Sequence, residues 1–215
     1  FLGFIYSISY TTAAVTLFML ALMPFLASVI AFIFLKEKIS KQNFVSMVVA
    51  FLGTLVMIYA STFSGSFFGL IMGFVSSLGF AAFSVALRSK SNFKKFYILI
   101  YGGILCALFS TFLMIINNQD FYIPIKNVYL SMTHGTLVAS GLILFSIGSK
   151  QLLSGELTML SLLEVVGGIF WAWLPILGIN EVPSMNTVIG GAIICIAIAM
   201  NSYRFDKKRL ENITR

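Results

Sequence analysis

Long apolar runs separated by short polar breaks make up most of this 215-residue chain. The first, Phe1 to Ile8, is short. The second runs from Ala13 to Leu35 and stops at Lys36-Glu37-Lys38; the third covers Phe44 to Tyr59. Phe67 to Leu87 closes at Arg88, and Phe96 to Ile116 is followed by Asn117-Asn118-Gln119-Asp120. Three more span Val128–Ile147, Leu157–Leu177 and Val188–Met200, the last giving way to Arg204, Lys207, Lys208 and Arg209. A membrane-spanning helix needs about 20 apolar residues, within a range of about 17–25. The pattern therefore predicts an all-α polytopic membrane protein with seven complete helices, and Phe1–Ile8 as the end of one more.

Composition agrees. The chain is 59% hydrophobic and 10% charged, where a soluble domain carries about 25% charged residues, and its mean hydropathy is +1.00. A water-soluble domain is excluded. The net charge of +7 does not indicate nucleic acid, because no basic stripe with interleaved aromatics exists. The basic residues cluster between apolar runs, which is how topology is encoded. Lys36, Lys38, Lys41, Arg88, Lys90, Lys94, Lys95, Lys150, Arg204, Lys207, Lys208, Arg209 and Arg215 occupy one set of alternate loops. The other set holds Lys126 alone. Of 14 basic residues, 13 thus share a side, which assigns that side and the C-terminus to the cytoplasm. Cys106 and Cys195 both lie inside apolar runs and read as small core hydrophobes rather than a disulfide or metal site.

The chain opens inside an apolar run with neither a charged n-region nor a cleavage site, so Phe1 does not begin a signal peptide. It reads as the C-terminal portion of a longer protein. A weak internal repeat is visible. Leu22-Met23-Pro24, then Leu35-Lys36-Glu37, then a helix containing Gly53 correspond to Leu162-Leu163-Glu164, then Asn180-Glu181, then a helix opening Gly190-Gly191. The first turn falls on the basic side and the second on the opposite side. Two copies of opposite orientation are a signature of inverted-repeat transporters.

These residues also carry a family resemblance. The first copy reads Tyr10-Thr11-Thr12-Ala13-Ala14, Leu22-Met23-Pro24 and Phe34-Leu35-Lys36-Glu37-Lys38. The second reads Ser161-Leu162-Leu163-Glu164-Val165-Val166, Trp171-Ala172-Trp173-Leu174, Asn180-Glu181-Val182-Pro183-Ser184 and Ile189-Gly190-Gly191. In order and spacing this resembles the EamA-type permeases of the drug/metabolite transporter superfamily. The resemblance implies an inverted-repeat ten-helix transporter fold. Residues 1–62 would be the C-terminal part of the first EamA repeat and residues 63–215 the second. One departure stands out: the stretch Leu174 to Asn180 is about three residues longer than the family pattern, and Pro175 within it lacks an amide donor. That places any carry-over at Glu181 in doubt.

Glu164 is the acid set well inside an apolar run. It stands nine residues from Gly155, about 13 Å at about 1.5 Å per residue and therefore near the bilayer midplane. A carboxylate there costs at least ~2.5 kcal/mol, so it should face a cavity or carry a proton. Substrate or proton binding is the functional reading; a protonated acid bonded to a neighbouring helix is the structural one. Trp171, two turns on, could stack on an organic solute, whereas Trp173 fits the interfacial aromatic belt. Ser161 could bond Glu164 or a ligand, although serines in such helices more often bond their own backbone. Pro24 frees a backbone carbonyl one turn earlier and marks either a kink beside the substrate path or a passive one. His134 reads as a packing or interfacial residue, and Glu156 as a helix-start acid favoured by the helix dipole. Gly65, Gly69, Gly73, Ser77 and Ala81 form a small-residue stripe suited to close helix packing. The run from Lys36 to Lys41 reads as a topology signal.

The substrate-binding candidates are therefore Glu164, Trp171, Ser161 and Pro24, with no catalytic group, metal or cofactor implied. The expected function is a secondary-active transporter, exporting small organic metabolites or drug-like solutes by alternating access. The export direction and substrate class come from the resemblance. Alternatives are a non-transporting membrane scaffold or subunit, or a nucleotide-sugar-type carrier. The last should show intramembrane Lys or Arg, which the apolar runs lack. An intramembrane enzyme would need convergent acid, base or metal ligands, and one Glu with one distant His does not supply them. The expected partners are a small-molecule solute and the lipid bilayer, with a homodimer left open and no nucleic acid. The expected location is the bacterial cytoplasmic (inner) membrane.

Overall fold

The computed structural model describes residues 1–59, 66–89, 92–119, 122–174 and 184–213. Within these, the side chains of residues 13, 14, 92–95, 168, 169, 171, 172 and 203–213 lie outside the description. The described residues form ten helices and no strand: α1 (Leu2–Tyr10), α2 (Ala13–Leu20), α3 (Met23–Leu35), α4 (Lys41–Ile58), α5 (Phe67–Ser89), α6 (Asn92–Ile116), α7 (Ile125–Gly148), α8 (Ser154–Ser161), α9 (Leu163–Trp173) and α10 (Met185–Ile213). Six stretches are long and apolar enough to cross a membrane: Val15–Leu35, Lys41–Ile58, Phe67–Ser89, Phe96–Ile116, Ile125–Gly148 and Met185–Ser202. The chain is an all-α polytopic membrane protein.

Two expected helices are each split in two. The run Ala13–Leu35 breaks at Ala21-Leu22 into α2 and α3, and the run Leu157–Leu177 breaks at Leu162 into α8 and α9. Pro24 accounts for the first break, since it lies in the first turn of α3, where its missing amide costs nothing. The second contains no proline. At both, the backbone tightens into a three-residue turn, Leu22 N–H donating to the Met19 carbonyl (3.1 Å) and Leu162 N–H to the Met159 carbonyl (3.0 Å). Hydropathy is blind to such a turn because apolar residues surround it. Elsewhere the helices outrun the apolar stretches. α4 starts three residues before Phe44, where the Ser40 hydroxyl accepts from Asn43 N–H (3.1 Å), a side-chain N-cap.

The basic loops converge at one end of the bundle, as the charge alternation requires. Arg88 at the end of α5 pairs with Glu37 after α3, and Gln42 of α4 donates to the Met200 carbonyl of α10 (2.6 Å). At the opposite end Ser66 N–H, before α5, donates to the Tyr10 carbonyl (2.9 Å).

Close packing follows the small residues. On α5, a Cβ added to Gly69 would meet Tyr10 and Thr11, and one on Gly73 would meet Ser7 and Met19. Ser77 is fully buried, its hydroxyl donating to the Met19 and Gly73 carbonyls. The small-residue stripe is thus the face that α1 and α2 pack on; Gly65 lies outside the described residues. α4 and α10 run antiparallel and touch backbone to backbone. A Cβ on Gly53 would stand 2.9 Å from the Gly190 carbonyl oxygen, and one on Gly190 would stand 2.7 Å from Met57 N and closer still to the Gly53 carbonyl. Around this crossing lies the core: Met23, Met47, Ala50, Met57, Ile58, Met159, Leu162, Val165, Ile194, Ala197 and Ile198. By contrast α6 and α7 leave large apolar side chains such as Leu105 and Leu137 exposed.

Gly53→Ala or Gly190→Ala should destabilise the detergent-solubilised protein by about 1–3 kcal/mol, the cost of overpacking. Gly102→Ala, whose Cβ would meet nothing within 4 Å, should leave the thermal midpoint unchanged or raise it slightly. Thermal unfolding followed by fluorescence size exclusion checks both.

Candidate functional site

The two breaks fall at matching places of two similar sequence stretches, Leu22-Met23-Pro24 and Leu162-Leu163-Glu164. Leu22 (φ −77°, ψ −17°) precedes α3, and Leu162 (φ −66°, ψ −16°) precedes α9, with nearly the same backbone geometry. Two residues on from each break stand Pro24 and Glu164. One stretch thus carries a proline, and the other a carboxylate, two residues after its break. Pro24 is buried, whereas Glu164 is exposed. Glu164 lies in the first turn of α9, where unpaired backbone N–H groups and the helix dipole favour negative charge. It is ten residues into the α8–α9 pair, about 15 Å along it. Discontinuous helices whose half-helix ends meet near the midplane form solute and ion sites in many transporters.

The other candidates are placed less together. Ser161 closes α8, half-buried, and its hydroxyl donates to the Leu157 carbonyl (3.3 Å), so it bonds its own backbone. Thr158 does the same, to the Ser154 and Gly155 carbonyls (2.9 and 3.1 Å). Trp171 stands two turns beyond Glu164 on α9, its side chain outside the described residues; Trp173 is exposed near the helix end. Pro175 and Glu181 lie outside the described residues. His134 is exposed on α7, its ring 6.4 Å from that of Phe1.

The sequence reading did not single out the polar network at the basic end. Lys36 closes α3 in the left-handed conformation (φ 55°), and the Glu37 amide turns back to the Ala31 carbonyl (3.2 Å). The Glu37 carboxylate then accepts from Arg88 Nε with one oxygen and from Ser154 N–H with the other (3.1 Å). Arg88 Nη1 also donates to the Leu152 and Ser149 carbonyls in the turn between α7 and α8. Beside it, Glu156 caps α8, accepting from Leu153 N–H (3.1 Å), and takes a second bond from the Asn43 amide of α4 (3.1 Å). Glu156 is therefore the helix-start acid expected of it. Glu37 was read as part of a topology signal; the acid that follows the apolar run in both similar stretches of the sequence, Glu37 and Glu181, was the available clue. A cavity of about 10 Å³ borders this network, lined by Ser28, Ala31, Glu37, Asn43, Leu153 and Gly155, room for about one water molecule.

The two ends of the broken helices differ in how they are closed. α8 packs tightly on α3: a Cβ on Gly155 would meet the side chains of Ser28 and Met47. Among the described residues α9 meets α10 and α8 but makes no comparable contact with α2, and a Cβ on Gly167 would meet nothing within 4 Å.

Residues 1–59 match the EamA-like transporter family. The matched segment comprises α1 to α4, with the first broken helix and Glu37 inside it. No curated protein matches the chain. A solved crystal structure of a protein, 17% identical, superposes with a TM-score of 0.64 over 93% of this chain and 71% of its own. At that identity the likeness concerns the fold, and it extends beyond the EamA-matching segment to nearly the whole chain.

Ser161→Ala should leave membrane levels and the thermal midpoint close to wild type, because its hydroxyl is committed to its own helix. Thermal unfolding followed by fluorescence size exclusion checks this.

Proposed function

We propose that this integral membrane protein is a secondary transporter that exports small organic solutes by alternating access, rather than an enzyme. The observation that carries the reading is the pair of helices broken at corresponding positions, one inside the EamA-matching segment and the other bearing Glu164 in the first turn of its outer half. A lipid-buried helix breaks only where its freed backbone groups find partners or line a polar cavity. A carboxylate beside such a break is the natural seat for a cationic or hydrogen-bonding solute, or for a coupling proton. We assign Glu164 to the wall of the central cavity, with Trp171 two turns above it as a stacking surface. Ser161 and Pro24 shape the cavity through the backbone, at the break and at its counterpart. The antiparallel crossing of α4 and α10 at Gly53 and Gly190 supports dividing the chain into two repeats, residues 1–62 and 63–215. The basic end, with the C-terminus, is assigned to the cytoplasm of a bacterial inner membrane. A nucleotide-sugar-type carrier is disfavoured, since Arg88 sits at a helix end and is occupied by Glu37.

Efflux from cells expressing the protein should be measured against a panel of amino acids, nucleosides and cationic dyes. Glu164→Gln should lower the rate at least about tenfold without lowering membrane levels. Normal efflux in that variant would make Glu164 a structural acid, and no efflux of any solute by wild type would overturn the exporter reading.

A further inference from the structure

We infer that Arg88, Glu37 and the α7–α8 turn form a latch that holds the basic end of the α3–α8 seam shut and releases once in each transport cycle. The inference rests on the transporter reading and adds to it the state of the molecule and the residues that gate it. Four observations lead to it. First, the network joins elements that would have to part for the seam to open: Arg88 on α5, Glu37 after α3, and Ser149, Leu152 and Ser154 around the turn into α8. Second, packing is one-sided among the described residues, with α3 and α8 in contact at Ser28 and Gly155 while a Cβ on Gly167 of α9 would meet nothing within 4 Å. Alternating access requires such asymmetry, one end of a central cavity closed while the other is open.

Third, the closed end buries polar groups among its apolar ones. The fully buried hydroxyls of Ser154, Ser84 and Ser46 have no hydrogen-bond partner. They lie beside Glu37, one turn from Arg88 and one turn from Asn43. Ser28 is bonded to the sulfur of Met47 (3.7 Å). Opening the seam would hydrate these groups, which offsets the loss of the latch and keeps the two states close in free energy. Fourth, the water-sized cavity at Ser28, Glu37 and Asn43 gives water a first foothold there. A guanidinium suits this role because its rigid fork can hold a carboxylate and two carbonyls at once.

The test uses Ser28→Cys in a background with Cys106→Ser and Cys195→Ser. A membrane-impermeant thiol reagent is applied to vesicles from the side of the basic loops. Labelling should be slow with the latch intact and about tenfold faster with Arg88→Gln or Glu37→Gln added, as expected for a shifted two-state equilibrium. Should Arg88→Gln fail to insert, Arg88→Lys keeps the charge but loses the fork and should give an intermediate rate. Unchanged labelling in all of these variants overturns the latch.

Release during transport is tested by pairing Ser28→Cys with Gly155→Cys. A Cβ on Gly155 would stand 3.5 Å from that of Ser28, within disulfide range. Oxidation should arrest efflux and a reductant should restore it; undiminished efflux through the cross-linked protein overturns the gate. Labelling is read without transport, so a wild type that moves no solute counts against the transporter reading, while the labelling rates still decide the latch.

Discussion

The crossing of α4 and α10 at Gly53 and Gly190 is the contact on which the remaining packing depends. Two backbones approach there more closely than any side chain would permit, and the buried methionines and small aliphatics of α3, α4, α8, α9 and α10 fill the space around it. In a membrane, apolar surface gains little by leaving lipid for protein, so helices associate through close van der Waals contact and interhelical hydrogen bonds. Small residues at crossings therefore do what bulky apolar residues do in soluble cores. The same rule operates between α1 and α5 at Gly69 and Gly73. Where small residues meet no neighbour, as at Gly102, Gly103, Gly135 and Gly141 of α6 and α7, packing is slight and the surface stays apolar and exposed.

Given that frame, the two broken helices become intelligible. Each break costs backbone hydrogen bonds in a medium that cannot replace them, and each limits the loss by a tight three-residue turn. What differs is the residue that follows. Pro24 has no amide to satisfy and sits buried, whereas Glu164 carries a carboxyl group and sits exposed. The two breaks thus share a backbone geometry but carry unlike chemistry. At the basic end, charged and polar groups join α3, α5 and the α7–α8 turn.

The helical architecture was legible in the sequence almost throughout. The apolar runs located the six described stretches long and apolar enough to cross a membrane, and the charge alternation correctly gathered Lys36–Lys41, Arg88 and Lys150 at one end, because helix length and loop charge are local properties. The breaks were half legible. Pro24 announced the first, but Leu162 carries no residue that signals a turn, and only its repeat correspondence to Leu22 pointed there. Glu164 was visible because a lone acid in an apolar run is conspicuous by composition. Glu37 was not, since an acid in a polar loop looks solvated until its partners are known.

The sequence alone settled that this chain crosses a membrane as a helical bundle, and which loops share a side. Those outcomes follow from transfer free energies summed over contiguous residues, which need no knowledge of contacts. Tertiary structure decided which glycines touch and which stand open, that Ser161 turns to its own backbone, and that Glu37 and Arg88, 51 residues apart, form an ion pair. These depend on distances between segments remote in the chain. A residue's type limits the partners it can take, but only the folded arrangement selects among them.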